Sequence, residues 1–164
     1  MKKRDEKSMY QIRKAYVTDV KRIKSLQFQI NAFHKENLPD DFLSPEEIEK
    51  NINLNEFIDS DNYIVLVVEH DNSVVGFVMG NVWERKSWVL QRRQIASLQQ
   101  IAVDSAHQRK GLGKMLVEAF EQEVRQRGSE ELWLEVYAFN ENAIELYKGQ
   151  GIEPTLLFGQ KKLT

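Results

Sequence analysis

The chain contains no cysteine. That absence excludes a disulfide framework, a catalytic thiol and any zinc site built on thiolates, and it fits a reducing compartment. Proline is scarce, with three residues in 164, and no stretch is rich enough in glycine, proline or serine to act as a linker. Long apolar runs are missing too. The longest, Tyr63 to Val68, has six residues, against the roughly 20 that a membrane-spanning helix needs. The charged start from Met1 to Lys7 leads into no apolar signal-peptide stretch, so the chain reads as soluble and cytoplasmic, with no membrane partner. Charge of one sign is also lacking: 23 basic residues face 25 acidic ones for a net of −2, which argues against a globally basic nucleic-acid binder. The three histidines, His34, His70 and His107, stand apart without metal-ligand spacing, and no metal site is expected.

What is present fits one domain over residues 1–164, preceded by a short charged extension of about residues 1–8. Tyr10 to Ala15 reads as a strand, and Thr18 as the cap of a helix carrying Val20, Ile23, Leu26 and Ile30. Ser44, Pro45 and Glu47 combine a capping hydroxyl, a first-turn proline and a carboxylate three residues after the cap, predicting a second helix through Ile48, Ile52 and Phe57. Tyr63–Glu69 and Val74–Trp83 read as antiparallel neighbours joined by Asp71-Asn72-Ser73, and strand character returns from Ile95 to Val103. Leu112, Met115, Leu116, Ala119, Phe120 and Val124 mark one face of a helix stopped by Gly128. A strand from Leu132 to Tyr137, a short helix from Glu141 to Lys148 and a last strand from Thr155 to Phe158 complete the expectation. The order describes an α/β fold with a mixed, mostly antiparallel sheet flanked by helices. The Ile95 and Leu132 strands should be parallel, because a helix joins them through a right-handed crossover.

Chemistry concentrates at Gln108-Arg109-Lys110-Gly111-Leu112-Gly113-Lys114, between a strand and a helix. Glycines allow a tight turn, and a helix start exposes unpaired N–H groups with a partial positive charge. Arg109, Lys110 and Lys114 stand at the helix end that repels cations, so an external anion would relieve them. The anion is not held by a P-loop, because Lys114 precedes Met115 rather than Ser or Thr, nor by a dinucleotide fingerprint, because its third glycine position is Leu116.

These residues resemble the GCN5-related N-acetyltransferases. The pyrophosphate motif of that family, Gln/Arg-x-x-Gly-x-Gly/Ala, is matched by Gln108, Gly111 and Gly113, after a similar strand end at Leu98 to Asp104. A second block from Leu134 to Tyr147, followed by Gly151-Ile152, resembles the family's strand, Asn-x-x-Ala and Leu-Tyr pattern, and the two blocks cover about 55 residues. The resemblance implies a single N-acetyltransferase domain and a gap between two parallel strands that takes acetyl-CoA. In it the backbone from Ile101 through Ala102 to Val103 would pair with the pantetheine, the amides from Arg109 through Lys110, Gly111, Leu112 and Gly113 to Lys114 would hold the pyrophosphate, and Asn140 would lie near the thioester. Tyr147 would protonate the departing thiolate.

The acceptor implied is a small-molecule or protein amine. Gln99 and Gln100 stand where many family members carry a glutamate base, and neither amide can act as one. Glu84, His70 or Glu135 acting through water, or deprotonation in solvent, would have to substitute. On spacing alone Asn140 also reads as a helix cap and Tyr147 as a core residue, while Trp88 in its polar loop suggests a contact surface. The stretch from His34 to Asp61 carries nine acidic residues and two lysines, a field that would draw a cationic amine. A noncatalytic acetyl-CoA sensor is the alternative reading, and a homodimer remains open.

Overall fold

The computed structural model describes residues 9–163, so the charged extension expected over residues 1–8 lies outside it. Strand β1 (Tyr10–Lys14) leads into helix α1 (Val20–Asn37), followed by α2 (Pro45–Asn51) and α3 (Leu54–Ile58). Then come β2 (Tyr63–His70), β3 (Ser73–Arg85), β4 (Arg93–Val103), α4 (Leu112–Gln126), β5 (Glu131–Leu134) and α5 (Glu141–Gly149). The five strands form one sheet in the order β1-β2-β3-β4-β5. All neighbours are antiparallel except β4 and β5, which run parallel with α4 as their crossover.

Apolar side chains project from both faces of this sheet, and helices cover both. Beneath α4, Ile64, Leu66, Val78 and Leu98 meet the helix stripe of Leu112, Leu116, Val117 and Phe120. On the opposite face, Val65, Val67, Phe77 and Met79 pack under Ile23 and Leu26 of α1 and Leu54 of α3. This is why β2 reads as an unbroken apolar run: alternate residues serve opposite cores. Asp71 and Asn72 take φ of 48° and 61°, the left-handed pair that a two-residue hairpin requires.

Several boundaries differ from expectation. Thr18 does not cap α1. Instead the Asp19 carboxylate accepts the Tyr16 N–H at 2.8 Å and is gripped by Arg13, whose guanidinium holds that carboxyl below its usual range. The Ser44–Glu47 capping box forms as expected, but Ile52 is extended, so the second helix ends at Asn51 and α3 is separate. The expected strand from Thr155 to Phe158 is absent: β5 is the last strand of the sheet, and Leu156, Leu157 and Phe158 stand exposed with no ladder to join.

Candidate functional site

Strand β4 changes character along its length. From Ile95 to Leu98 it is paired on both edges, with β3 on one side and Glu131–Leu134 of β5 on the other. At Leu98 the register against β3 slips: Gly80 faces Leu98 while Met79 faces Gln100, leaving Gln99 as an extra residue. Such a bulge bends and twists the strand. Here β5 ends too, three residues short of the expected Tyr137, and β4 runs on to Val103 with one edge open. The fit at the bulge is close, since a Cβ on Gly80 would come within 2.1 Å of the Ser97 carbonyl oxygen and 2.5 Å of the Phe120 ring.

The open edge has a definite polarity. Asp104 donates its N–H to the Val75 carbonyl at 2.8 Å, toward β3. Alternation along an extended chain then turns the backbone groups of Ala102 toward β3 and those of Ile101 and Val103 toward the gap. The Gln108 side-chain amide donates to the Val103 carbonyl at 3.1 Å, which ties the following loop to this edge.

That loop is fixed at its root. The Asp104 carboxylate accepts the Ala106 N–H at 2.9 Å and pairs with Arg22, whose Nε donates to the Val74 carbonyl at 2.8 Å. The Ala106 amide and then the Arg22 guanidinium hold the Asp104 carboxyl below its usual range. Arg109 and Gly111 follow with φ of 62° and 81°. Gly111 is the cap residue of α4 and has no side chain to offer, and the first helical bond runs from Met115 N–H to the Gly111 carbonyl at 3.1 Å. The N–H groups of Leu112, Gly113 and Lys114 are therefore outside the helix ladder, forming a concavity of donors suited to an anion. The second glycine serves differently: a Cβ on Gly113 would lie 3.1 Å from Leu146, so its bareness lets α4 and α5 approach. Two of the three cations have partners, Arg109 at 3.0 Å from Asn142 Oδ1 and Lys114 at 3.6 Å from Glu118.

Helix α5 brings two further residues. Asn140 caps it, accepting the Ala143 N–H at 3.2 Å through Oδ1 and leaving its own amide N–H groups for other partners. Tyr147 is 7% exposed in the cluster with Leu112 and Leu116, and burial pushes its pKa up to about 12. At neutral pH its hydroxyl is therefore protonated. Ser129 Oγ is the one fully buried side-chain polar atom without a partner among the described residues.

On the α1 side of the bulge the floor is made of carboxamides. Gln27, 5% exposed, donates to Gln100 at 2.6 Å, and Gln99 reaches Asn81 at 3.4 Å. Glu84 lies at the base of the β3–β4 hairpin, opposite Gln94, where Arg92 holds its carboxyl below the usual range. His70 packs on Tyr10 with ring centroids 4.6 Å apart at the other end of β3, 5.3 Å from His107. Neither is at the bulge, whereas Glu135 directly follows the parting point at Leu134. Five rings from three segments of the chain form a group beside this floor. His34 stacks on Phe42 at 5.0 Å and meets Tyr137 at 5.6 Å and Phe139 at 5.8 Å, with Phe33 against Phe139 at 5.6 Å. Burial there lowers the His34 pKa, so the imidazole is neutral near pH 7. These residues lie far apart along the chain, and only a three-dimensional arrangement could reveal them together. Trp83 and Trp133 meet edge to face at the sheet rim, and Trp88 is fully exposed at the hairpin tip.

A five-strand mixed sheet whose parallel strands part beside a helix start of uncapped amides defines the N-acyltransferase class of α/β fold. The chain belongs to the acetyltransferase (GNAT) family, whose model matches residues 29–152. It is 52% identical over 56 residues to the [ribosomal protein bS18]-alanine N-acetyltransferase of Salmonella typhimurium strain LT2, a match that covers 34% of this chain and 38% of that protein. The chain thus spans under half the length of that relative. Among solved structures, a mutant protein from Bacillus halodurans superimposes with a TM-score of 0.82 at 20% identity, covering 94% of this chain and 99% of that one. The aminoglycoside N-acetyltransferase AAC(6')-Iy in complex with CoA gives 0.69 at 17% identity over 93% and 95% of the two chains. At those identities the structures establish the shared fold alone. Among the described residues, no helix is long and apolar enough to cross a membrane, and no group of three or more metal-ligating side chains is present.

Proposed function

We propose that the whole chain acts as one N-acetyltransferase domain, moving the acetyl group of acetyl-CoA to an amine in the cytoplasm. The observation that carries this reading is the parting of β4 from β5 after Leu98 and Leu134, which leaves an open strand edge leading to the uncapped start of α4. The residues present fit the cofactor: Ile101 and Val103 offer an extended amide chain the donors and acceptors of a missing strand, and three free N–H groups await phosphate oxygens. Ala102 contributes from the β3 side, as a spacer and not through its own backbone groups. Gln108 orders the edge, Asn140 offers its amide beside the gap, and Arg109, Lys110 and Lys114 add positive charge around Gly111, Leu112 and Gly113.

Acetyl-CoA supplies an acyl group activated as a thioester. The chain's own part is electrostatic and protonic. An N–H on the open edge near Ile101 stabilises negative charge developing on the acyl oxygen. Tyr147, held protonated by burial, donates its proton toward the leaving sulfur. The carboxamide floor positions the acceptor without serving as a base, and Glu135 stands at the mouth where it can take the ammonium's proton through water. An amine acceptor is supported by the family and by the activities of the two acetyltransferases named above, one acting on a ribosomal protein and one on aminoglycosides.

The test is Tyr147→Phe, which keeps the ring and removes the donor. Single-turnover transfer at saturating acetyl-CoA should fall about 100-fold, with acetyl-CoA affinity and thermal stability unchanged. Turnover at the original rate would make Tyr147 a packing residue.

A further inference from the structure

Helix α1 crosses the gap. Gln27 touches Gln100 on the open half of β4, and His34, about 10 Å further along the helix, touches Tyr137 and Phe139 beyond the end of β5. The turn after α1 therefore borders the gap opposite α4. Lys35 fixes that turn by donating to the carbonyls of Pro39 at 2.5 Å and Phe42 at 2.6 Å, which holds Phe42 on His34 and presents Asp40 and Asp41. The ammonium that meets these carboxylates belongs to the chain itself: Lys162 Nζ lies 3.6 Å from Asp40 and 3.7 Å from Asp41.

Among the described residues, no other hydrogen bond or ion pair ties the segment that carries it. Ile152 is anchored by its N–H on the Tyr147 carbonyl at 3.0 Å, but residues 153–163 have no regular structure and are exposed. Ten residues beyond Ile152 extend at most about 33–36 Å, more than twice the radius of gyration of about 15 Å for a domain this long. Lys162 can therefore reach the gap from its anchor, and the acidic turn keeps it near the entrance.

Resting on the acetyl-transfer reading above, we propose that Lys162 is a site of self-acetylation, delivered to the gap from the Asp40–Asp41 turn. In the step, the ammonium first loses a proton to solvent and Nζ attacks the acyl carbon of acetyl-CoA. A C–N bond forms and the C–S bond breaks. The second nitrogen proton goes to solvent and the CoA thiolate is protonated, giving Nε-acetyl-lysine and free CoA. The modified side chain has no charge, so its hold on Asp40 and Asp41 is lost and the turn becomes free for other cations.

The experiment incubates the full chain with acetyl-CoA at several protein concentrations and follows each lysine by peptide mass spectrometry, beside an acetyl-CoA binding titration and an assay with an added small amine. Lys162 should be acetylated at least tenfold faster than the exposed Lys86 and Lys148, with a rate per molecule that does not depend on protein concentration and rises from pH 7 to pH 9. Joint substitution Asp40→Asn and Asp41→Asn should bring the rate at Lys162 down to that of the other lysines. Lys162→Arg should remove the modification while leaving acetyl-CoA affinity intact. Modification of Lys162 no faster than Lys86, a rate proportional to protein concentration, or indifference to the double substitution would each overturn the proposal. A chain that acetylates the added amine yet spares Lys162 overturns this proposal alone, whereas a chain that does not bind acetyl-CoA overturns the acetyl-transfer reading with it.

Discussion

The two halves of β4 carry the same kind of backbone to different ends. Ile95 to Leu98 spend their hydrogen bonds on two neighbours, and Ile95, Ala96 and Leu98 are buried. Gln99 to Val103 keep one neighbour only, and none of these residues is fully buried. The difference teaches how a sheet makes a site without spending its core: a bulge and an early strand end release one edge, while the other edge stays anchored to β3. On the proposed function, stability belongs to the first half and recognition to the second, and substitutions should separate the two.

The largest effect should come from Gly80→Val, which attacks the joint between the halves. Its side chain would overlap the Ser97 carbonyl and the Phe120 ring, so the strands must separate or the core must repack. A loss of about 3 kcal/mol or more is expected, read as a drop in Tm of roughly 6–12 °C or as failure to fold. A variant as stable as the parent would mean that the joint tolerates expansion and that the close approach is incidental.

A smaller effect is expected at the far end of the open half. Asp104 has a folded pKa below its unfolded value, so its contribution is fully present above about pH 3.9 and is lost as pH falls through the folded value. Asp104→Asn should cost on the order of 1 kcal/mol at neutral pH, the usual worth of a cap, and should flatten the acid limb of the stability curve. An unchanged acid limb, measured by urea unfolding from pH 7 to pH 2, would show that the loop root is not held by this carboxylate.

Smallest is the influence of salt on cofactor binding. Arg109, Lys110 and Lys114 are exposed, and Arg109 and Lys114 already have partners within the chain. Raising ionic strength from 0.05 to 0.5 M should weaken acetyl-CoA binding about two- to fivefold. A much steeper dependence would move the phosphate-holding role from the backbone amides to these side chains.

The sequence carried the locally determined parts well. The α4 stripe, the Gly128 stop and the Ser44–Glu47 box are written within a few residues of where they act, and they form as read. A tight glycine turn at the start of α4 was legible for the same reason, and Gly111 makes it with a φ of 81°. Nonlocal features were harder. Val136 and Tyr137 continue the alternation of β5, so nothing in the pattern marks Leu134 as its end; the parting depends on a bulge set by Gly80, which lies on another strand. The run from Thr155 to Phe158 has strand composition but no partner, and pairing decides a strand more than composition does. Gly113 looked like part of the turn, and its contact with Leu146 emerged only when α5 was placed. The five-ring group of Phe33, His34, Phe42, Tyr137 and Phe139 draws on segments up to about a hundred residues apart, and no periodicity could join them.

The central claim is that the unpaired half of β4 and the bare start of α4 together receive acetyl-CoA. Residue-resolved amide hydrogen exchange, with and without saturating acetyl-CoA, tests it most directly. The account predicts slower exchange at Ile101, Val103, Leu112, Gly113 and Lys114 on binding, and little change at Ile95 to Leu98, whose ladders are already closed. Binding that leaves the exchange of Ile101 and Val103 unaltered, or that protects only amides elsewhere in the sheet, would contradict it.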